Sequence, residues 1–177
     1  MPTLDERIRK LEDRAEIQDL AAAYFLATDD DDYEALGACF IRDARFHANG
    51  FDGTTGRDSI IAFLKEARSG MGQTVHTIDY AHVRLSGADK ATGIVTAHLE
   101  LGIGATTVFA AVRYIDEYAR EDGIWRIAAR EMKAVYVSPW GNVANSLIQE
   151  KNVCWPGAEP SSSDLPRPNS ATLRARK

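Results

Sequence analysis

Two side chains in this sequence have the types and surroundings for acid–base work. Asp29 ends an amphipathic helical run, and His76 opens a β-rich stretch after a turn carrying Gly70 and Gly72. A partly buried imidazole with a pKa near ~6.5 can move a proton at neutral pH, and an adjacent carboxylate fixes its tautomer and steadies the imidazolium. Such a pair could take an acidic C–H proton beside a carbonyl or a leaving group without a metal or a nucleotide. The residues alone leave a structural reading open beside this one: Asp29 as a turn cap in a solvated run of acids, Asp29 to Asp32, and His76 as a satisfied strand end. His98, between Thr96 and Glu100, either reaches a pocket as a second acid–base group or faces a subunit interface. Tyr24 lies roughly 140° around an ideal helix from Asp29. It either packs in the core or offers its hydroxyl to a substrate oxygen.

Other chemistries lack their signatures. There is no GxxxxGK[ST] loop, no GxGxxG after a strand, no HExxH and no G-x-S-x-G elbow; Gly102 and Gly104 form a lone GxG. The histidines His47, His76, His82 and His98 fall on different candidate strands without compact ligand spacing, so neither a metal nor a cofactor is expected. Cys39 and Cys154 form no CxxC pair and read as a buried small hydrophobe and a tail residue of a reduced, cytoplasmic chain. Arg113, Arg126 and Arg130 sit on candidate strands, where Asp116, Glu117 or Glu131 can pair with them. An ion-pair network therefore ranks ahead of an anionic-substrate clamp.

The elements that must position these groups follow from periodicity. The apolar series Leu4, Ile8, Leu11 and then Ile17, Leu20, Tyr24 is helical, with a slip that predicts a bend near Asp13 or two helices. A short helix over Tyr33 to Phe40, a strand over Ala44 to Ala48, turn residues around Phe51, and a helix over Asp58 to Lys65 capped by Asp58 come next. The remainder reads as a meander of long strands: Thr74 to Leu85, Lys90 to Ile103, Thr106 to Arg120 and Ile124 to Pro139. Ile78 and Val83 have opposite parity, which asks for a bulge near Tyr80. Short turns between these strands predict an antiparallel sheet, curled by its length and closed by the N-terminal helices. Both faces of the third long strand are largely apolar, so one covers the helices and the other meets a second subunit or the strand is simply a greasy central one.

The chain has 177 residues, 45% of them hydrophobic and 27% charged, which suits one α+β domain with room for a pocket. A net charge of −5 with basic residues interspersed among acids disfavours nucleic acid. The opening MPTLDERIRK has no apolar signal region, and no apolar run approaches the length of a membrane span. Residues 1–140 form the predicted domain; a short helix over Val143 to Glu150 and a Pro- and Ser-rich end make up a C-terminal extension, 141–177, disordered after about Ser161.

The segments AEIQDLAAAYFLATDDDDYEALGACFIRDARFHANG, GRDSIIAFL, VHTIDYAHVRLSGADKATGIVTAHLEL and VRYIDEYAREDGIWRIAARE together resemble the SnoaL-like branch of the nuclear-transport-factor-2-like superfamily, near its scytalone dehydratase and hexachlorocyclohexane dehydrochlorinase groups. The resemblance implies a cone-shaped, curved antiparallel sheet with helices in its mouth, and an Asp–His dyad in a hydrophobic cavity at Asp29 and His76, with His98 near the dehydratases' second histidine. Those dehydratases carry a tyrosine directly before the dyad aspartate, where this chain has Thr28; Tyr33 and Tyr80 are the substitutes to consider beside Tyr24. The implied activity is a cofactor-independent lyase or isomerase acting on a small hydrophobic molecule in a homo-oligomer, trimer or dimer. A non-catalytic ligand-binding or assembly module is the other reading, because fold does not choose a reaction.

Overall fold

The computed structural model describes residues 2–165. Thr3 starts helix α1 (Leu4–Asp29) with a capping box, its hydroxyl accepting from the Glu6 N–H while the Glu6 carboxylate accepts from the Thr3 N–H. The helix is continuous, so the slip in its apolar pattern is not a bend. Leu4, Ile8 and Leu11 lie on an exposed overhang, and the inward position is taken by Asp13, which is buried against Arg120 and the Trp125 indole N–H. Helix α2 (Tyr33–Ala38) is shorter than expected, because the chain is already extended from Phe40 in β1 (Phe40–Ala48). The turn residues around Phe51 form β2 (Phe51–Thr55), and α3 spans Arg57–Arg68 behind Gly56 at φ 95°, without a side-chain cap from Asp58.

Strands β3 (Met71–Leu85), β4 (Lys90–Ile103), β5 (Thr106–Glu121) and β6 (Ile124–Pro139) follow, and the register of β3 on β4 shifts between Ile78 and Tyr80, where the parity breaks. The sheet order is β2-β1-β6-β5-β4-β3. This corrects the expected antiparallel cone: β1 runs parallel to β6, and the sheet is open, ending at β2 and β3 rather than closing. Hairpin turns dictate antiparallel pairing only between strands adjacent in sequence. The β1–β6 pairing joins strands separated by α3 and four strands, a crossover long enough to bring β6 back in the same direction.

Helix α1 packs on β3 and β6, and α3 on β1, so the core lies between these helices and one sheet face. On β5, Val108, Ala110, Val112, Tyr114, Asp116 and Tyr118 all point into it. Asp116 is there to hold Arg130 in a bidentate pair, 2.9 and 2.8 Å, and takes the Tyr118 hydroxyl at 2.7 Å. Gly93 on β4 makes room for this: a Cβ there would stand 2.8 Å from the Tyr118 ring. Cys39 is buried, which pushes its thiol up to about 11. Instead of the short helix expected after Val143, a 3-10 turn spans Trp140–Asn145. Val153 then pairs with Val137 and Ser161, and Asp164 accepts from the Ala134 N–H. The disorder predicted for the end of the chain falls largely on residues 166–177, outside the described residues.

Candidate active site

The last turn of α1 and the start of β3 meet at a carboxylate. Because β3 is an edge strand, the N–H groups on its outer side have no strand partner. Asp29, the last residue of α1, fills one of these positions: its Oδ2 accepts from the His76 backbone N–H at 2.8 Å. Its Oδ1 takes the Thr74 hydroxyl at 2.7 Å and His76 Nδ1 at 2.5 Å. One carboxylate therefore receives three donors from a single strand, and the His76 ring is also stacked on Phe25, with centroids 5.2 Å apart.

The run of four acids divides its work. Asp29 holds His76; the Asp30 N–H caps α1 on Leu26; Asp32 caps α2 by accepting from the Ala35 N–H at 2.9 Å. Asp31 sits at φ 53°, a conformation rarely adopted by a residue with a Cβ, and accepts from Arg68 Nε at 2.8 Å and the Tyr33 hydroxyl at 3.0 Å. Arg68 in turn donates to Thr74 Oγ1 at 3.2 Å, which leaves the Thr74 hydroxyl proton for Asp29.

These contacts set the charge states. Burial works to raise the Asp29 carboxyl, but the hydrogen bonds from Thr74 and from the side chain and backbone of His76 outweigh it and hold it below the usual carboxylate range. Burial is also the largest influence on His76 and lowers it; the Asp29 carboxylate offsets this in part, while the positive charges of Arg68 and Arg130 push the same way as burial. The result at neutral pH is an ionised carboxylate and a neutral imidazole whose Nδ1–H is committed to Asp29. Nε2 is left with its lone pair, the arrangement of a general base.

His76 lines a cavity of about 250 Å³ whose wall is otherwise largely apolar, with Phe46, Leu99, Leu101 and Met132 from the sheet and Phe63 and Leu64 from α3. Trp155 and Pro156 complete one side. Trp155 Nε1 donates to Asn49 Oδ1 at 2.9 Å, and Asn49 Nδ2 donates to Asp164 at 2.8 Å, which ties the extension to the β1–β2 turn. A larger groove, about 600 Å³, lies outside between Arg7, Lys10, Arg14 and Arg84, but it holds none of the acid–base groups.

Of the other sequence-predicted residues, Tyr24 lines the cavity. Burial raises its hydroxyl pKa against the lowering effect of Arg130, so it stays protonated. Tyr33 is occupied with Asp31, and Tyr80 is exposed at the β3 bulge. His98 is on the opposite sheet face, where Nδ1 meets Asp79 Oδ1 at 2.9 Å and the ring stacks on Phe109. The structure thus separates His98 from the Asp29–His76 pair, and no grouping of three or more His, Cys, Asp or Glu suited to a metal occurs among the described residues. Sequence reasoning missed Tyr114, Thr74 and Arg68 as parts of the site. Tyr114 was visible as an inward position of β5, whereas Arg68 carried only the ordinary signal of a cation at a helix end. Arg130 is fully buried beneath the rings of Tyr24 and Tyr114, at 4.1 and 4.7 Å from their centroids.

The fold has counterparts among known proteins. A family model described as a SnoaL-like domain matches residues 9–131. The gamma-hexachlorocyclohexane dehydrochlorinase of Sphingobium indicum is 26% identical over 137 residues, 76% of this chain and 88% of that protein. The structure of hexachlorocyclohexane dehydrochlorinase LinA-type3 from Novosphingobium barchaimii superposes with a TM-score of 0.71 at 22% identity, covering 77% of this chain and 96% of the other. A Novosphingobium aromaticivorans protein provisionally described as a scytalone dehydratase gives 0.71 at 18% identity, covering 76% and 91%. At these identities the structural matches establish a shared fold.

Proposed function

The chain belongs to the SnoaL-like family of the nuclear-transport-factor-2-like superfamily, and from that premise we propose that it is a cofactor-independent lyase or isomerase that abstracts a proton from a small hydrophobic substrate. The observation that carries the reading is the 2.5 Å Asp29–His76 contact on the wall of a largely apolar cavity. His76 Nε2 takes the proton from carbon, and Asp29 keeps the imidazole in the required tautomer and stabilises the imidazolium that forms. The electron pair left on carbon moves into an adjacent carbonyl or expels a leaving group from the next carbon. Tyr24 and Tyr114, which line the cavity and are both kept protonated by burial, are the hydroxyl donors assigned to that task. The similarity to dehydrochlorinases supports elimination as the first reaction class to test. His98 takes no part in this scheme. It lies on the half-buried apolar outer face of β4 and β5, with Phe109 and Ile115, which is where a second copy of the chain would pack.

The test is a screen of halogenated and hydroxylated cyclic compounds for released halide or water, run beside solvent-deuterium exchange into enolisable ketones. His76→Gln is expected to lower any activity found by about 10²–10⁴-fold. Activity that survives this change would sink the dyad, and a chain that binds such compounds without converting any of them would be the binding module.

A further inference from the structure

Among the described residues, Arg68 is the only side chain lining the cavity that carries a permanent charge, and that side chain is 8% exposed. A guanidinium removed from water needs partners for its N–H groups. It has five. Nε uses one on Asp31 and Nη2 uses one on Thr74 Oγ1, which leaves the far edge of the fork, Nη1 with the second N–H of Nη2, without a hydrogen bond among the described residues. Like the Nε–Nη2 edge by which Arg130 holds Asp116, it has the two parallel N–H groups that match a carboxylate.

The second buried guanidinium in the region shows what a fully structural arginine looks like here. Although its Nη1 too has no hydrogen-bond partner among the described residues, Arg130 donates Nε and Nη2 to the two oxygens of Asp116, which neutralise it with both side chains inaccessible to solvent. Arg68 has no such partner. Asp31 takes a single N–H, and its own side chain is 57% exposed, so water screens its charge while Arg68 stays inside. Thr74 is a neutral acceptor. The residues that line the cavity therefore carry one positive charge, and the Asp29 carboxylate, which is not among them, is engaged by the donors of Thr74 and His76. Asp31 and Thr74 fix the plane of the guanidinium from two sides, so little side-chain freedom would be lost on binding.

We propose that Arg68 is a ligand-recognition residue and that the cavity takes small, flat apolar acids, the carboxylate docking on the free edge of the Arg68 guanidinium beside His76. This deepens the reading of the site as a proton-abstraction centre by naming its substrate class, and it is tested by binding, without turnover. The volume of about 250 Å³ suits one substituted ring with its carboxylate. Thr74 touches both Arg68 and Asp29, so an acid held there lies next to the dyad.

The probes are benzoate and its neutral isostere benzamide, titrated calorimetrically into the full chain. Benzoate is expected to bind about tenfold more tightly, the worth of one charge-assisted hydrogen bond. Arg68→Gln should reduce that preference to within about twofold, and Arg68→Lys, which keeps the charge without the fork, should leave about threefold. His76→Gln should retain the preference, so failure of the dyad and failure of this assignment are read separately. Benzoate should also move the imidazole titration of His76 to higher pH in the wild-type chain, because a bound anion offsets the Arg68 charge; benzamide should not. Equal binding of the two probes, or a preference that persists in Arg68→Gln, overturns the proposal. Should Arg68→Gln fail to fold, as judged by circular dichroism, the Lys variant and the imidazole titration decide the matter by the same criteria.

Discussion

The sheet carries two imidazole–carboxylate pairs, one on each face, and they are alike in almost every local respect. His76 and His98 lie on neighbouring strands, each gives Nδ1 to an aspartate, and each ring stacks on a phenylalanine, with centroids 5.2 and 5.5 Å apart. They differ in what surrounds the carboxylate. Asp29 receives two further donors, from Thr74 and from the His76 backbone, while Asp79 receives none among the described residues. The His76 side chain is 7% exposed and that of His98 40%. A pair becomes a proton-transfer device when burial makes the neutral imidazole the stable form and additional donors keep the carboxylate from taking its proton. The outer pair has the same components in water's reach, where their coupling is screened.

The comparison can be broken at its sharpest point by making the same change on both faces. Asp29→Asn offers the ring an amide in place of the carboxylate and is expected to lower kcat/KM by about 10³-fold, whereas Asp79→Asn should leave it within about twofold. Equal losses would mean that the outer pair serves the reaction. The next contrast is in pH. Since the native His76 pKa is depressed from its ordinary 6.5, the acid limb of kcat/KM should have its midpoint below 6.5 and keep it in His98→Gln. The same shift has a sign for stability. Between the depressed native pKa and 6.5 the unfolded chain binds more protons than the native one, so stability falls as pH falls through that window. A second loss follows at lower pH as Asp29, held below 3.8 in the native state, is protonated. Urea melts at a series of pH values, with and without Asp29→Asn, measure both steps. The smallest effect is on the outside: Asp79→Asn should change unfolding free energy by no more than about 1 kcal/mol, as for other partly exposed ion pairs.

The legible parts of the sequence were those governed by short-range rules. Alternation placed β4 and the inward face of β5, and the parity break between Ile78 and Val83 marked a bulge. Asp29 and His76 were marked as a helix end and a strand start, and it was the family resemblance that set the acid–base reading of the pair ahead of the structural one. The parallel β1–β6 pairing had no local signal, since no turn connects the two strands. The four acids read as a solvated run because spacing cannot say that Asp31 would turn to φ 53° and send its carboxylate to Arg68, 37 residues away. Arg68 and Thr74 join the site only through side chains that meet across α1, α3 and β3. The share of Asp13 in the core was hidden for a similar reason: its partners, Arg120 and Trp125, lie more than a hundred residues along the chain.

The cavity wall is built from two kinds of residue with different freedom to vary. Phe46, Leu99 and Tyr114 also belong to the hydrophobic core, and truncating such a side chain costs about 2–5 kcal/mol. Trp155 and Pro156 lie outside the six strands, on a segment attached by the Asn49 and Val137 contacts. A lineage could exchange these two residues and reshape the pocket while leaving the sheet, the helices and the Asp29–His76 pair intact. The scaffold and its ligand range are thereby separately inheritable, and new specificities have an evolutionary route through the tail that does not pass through instability.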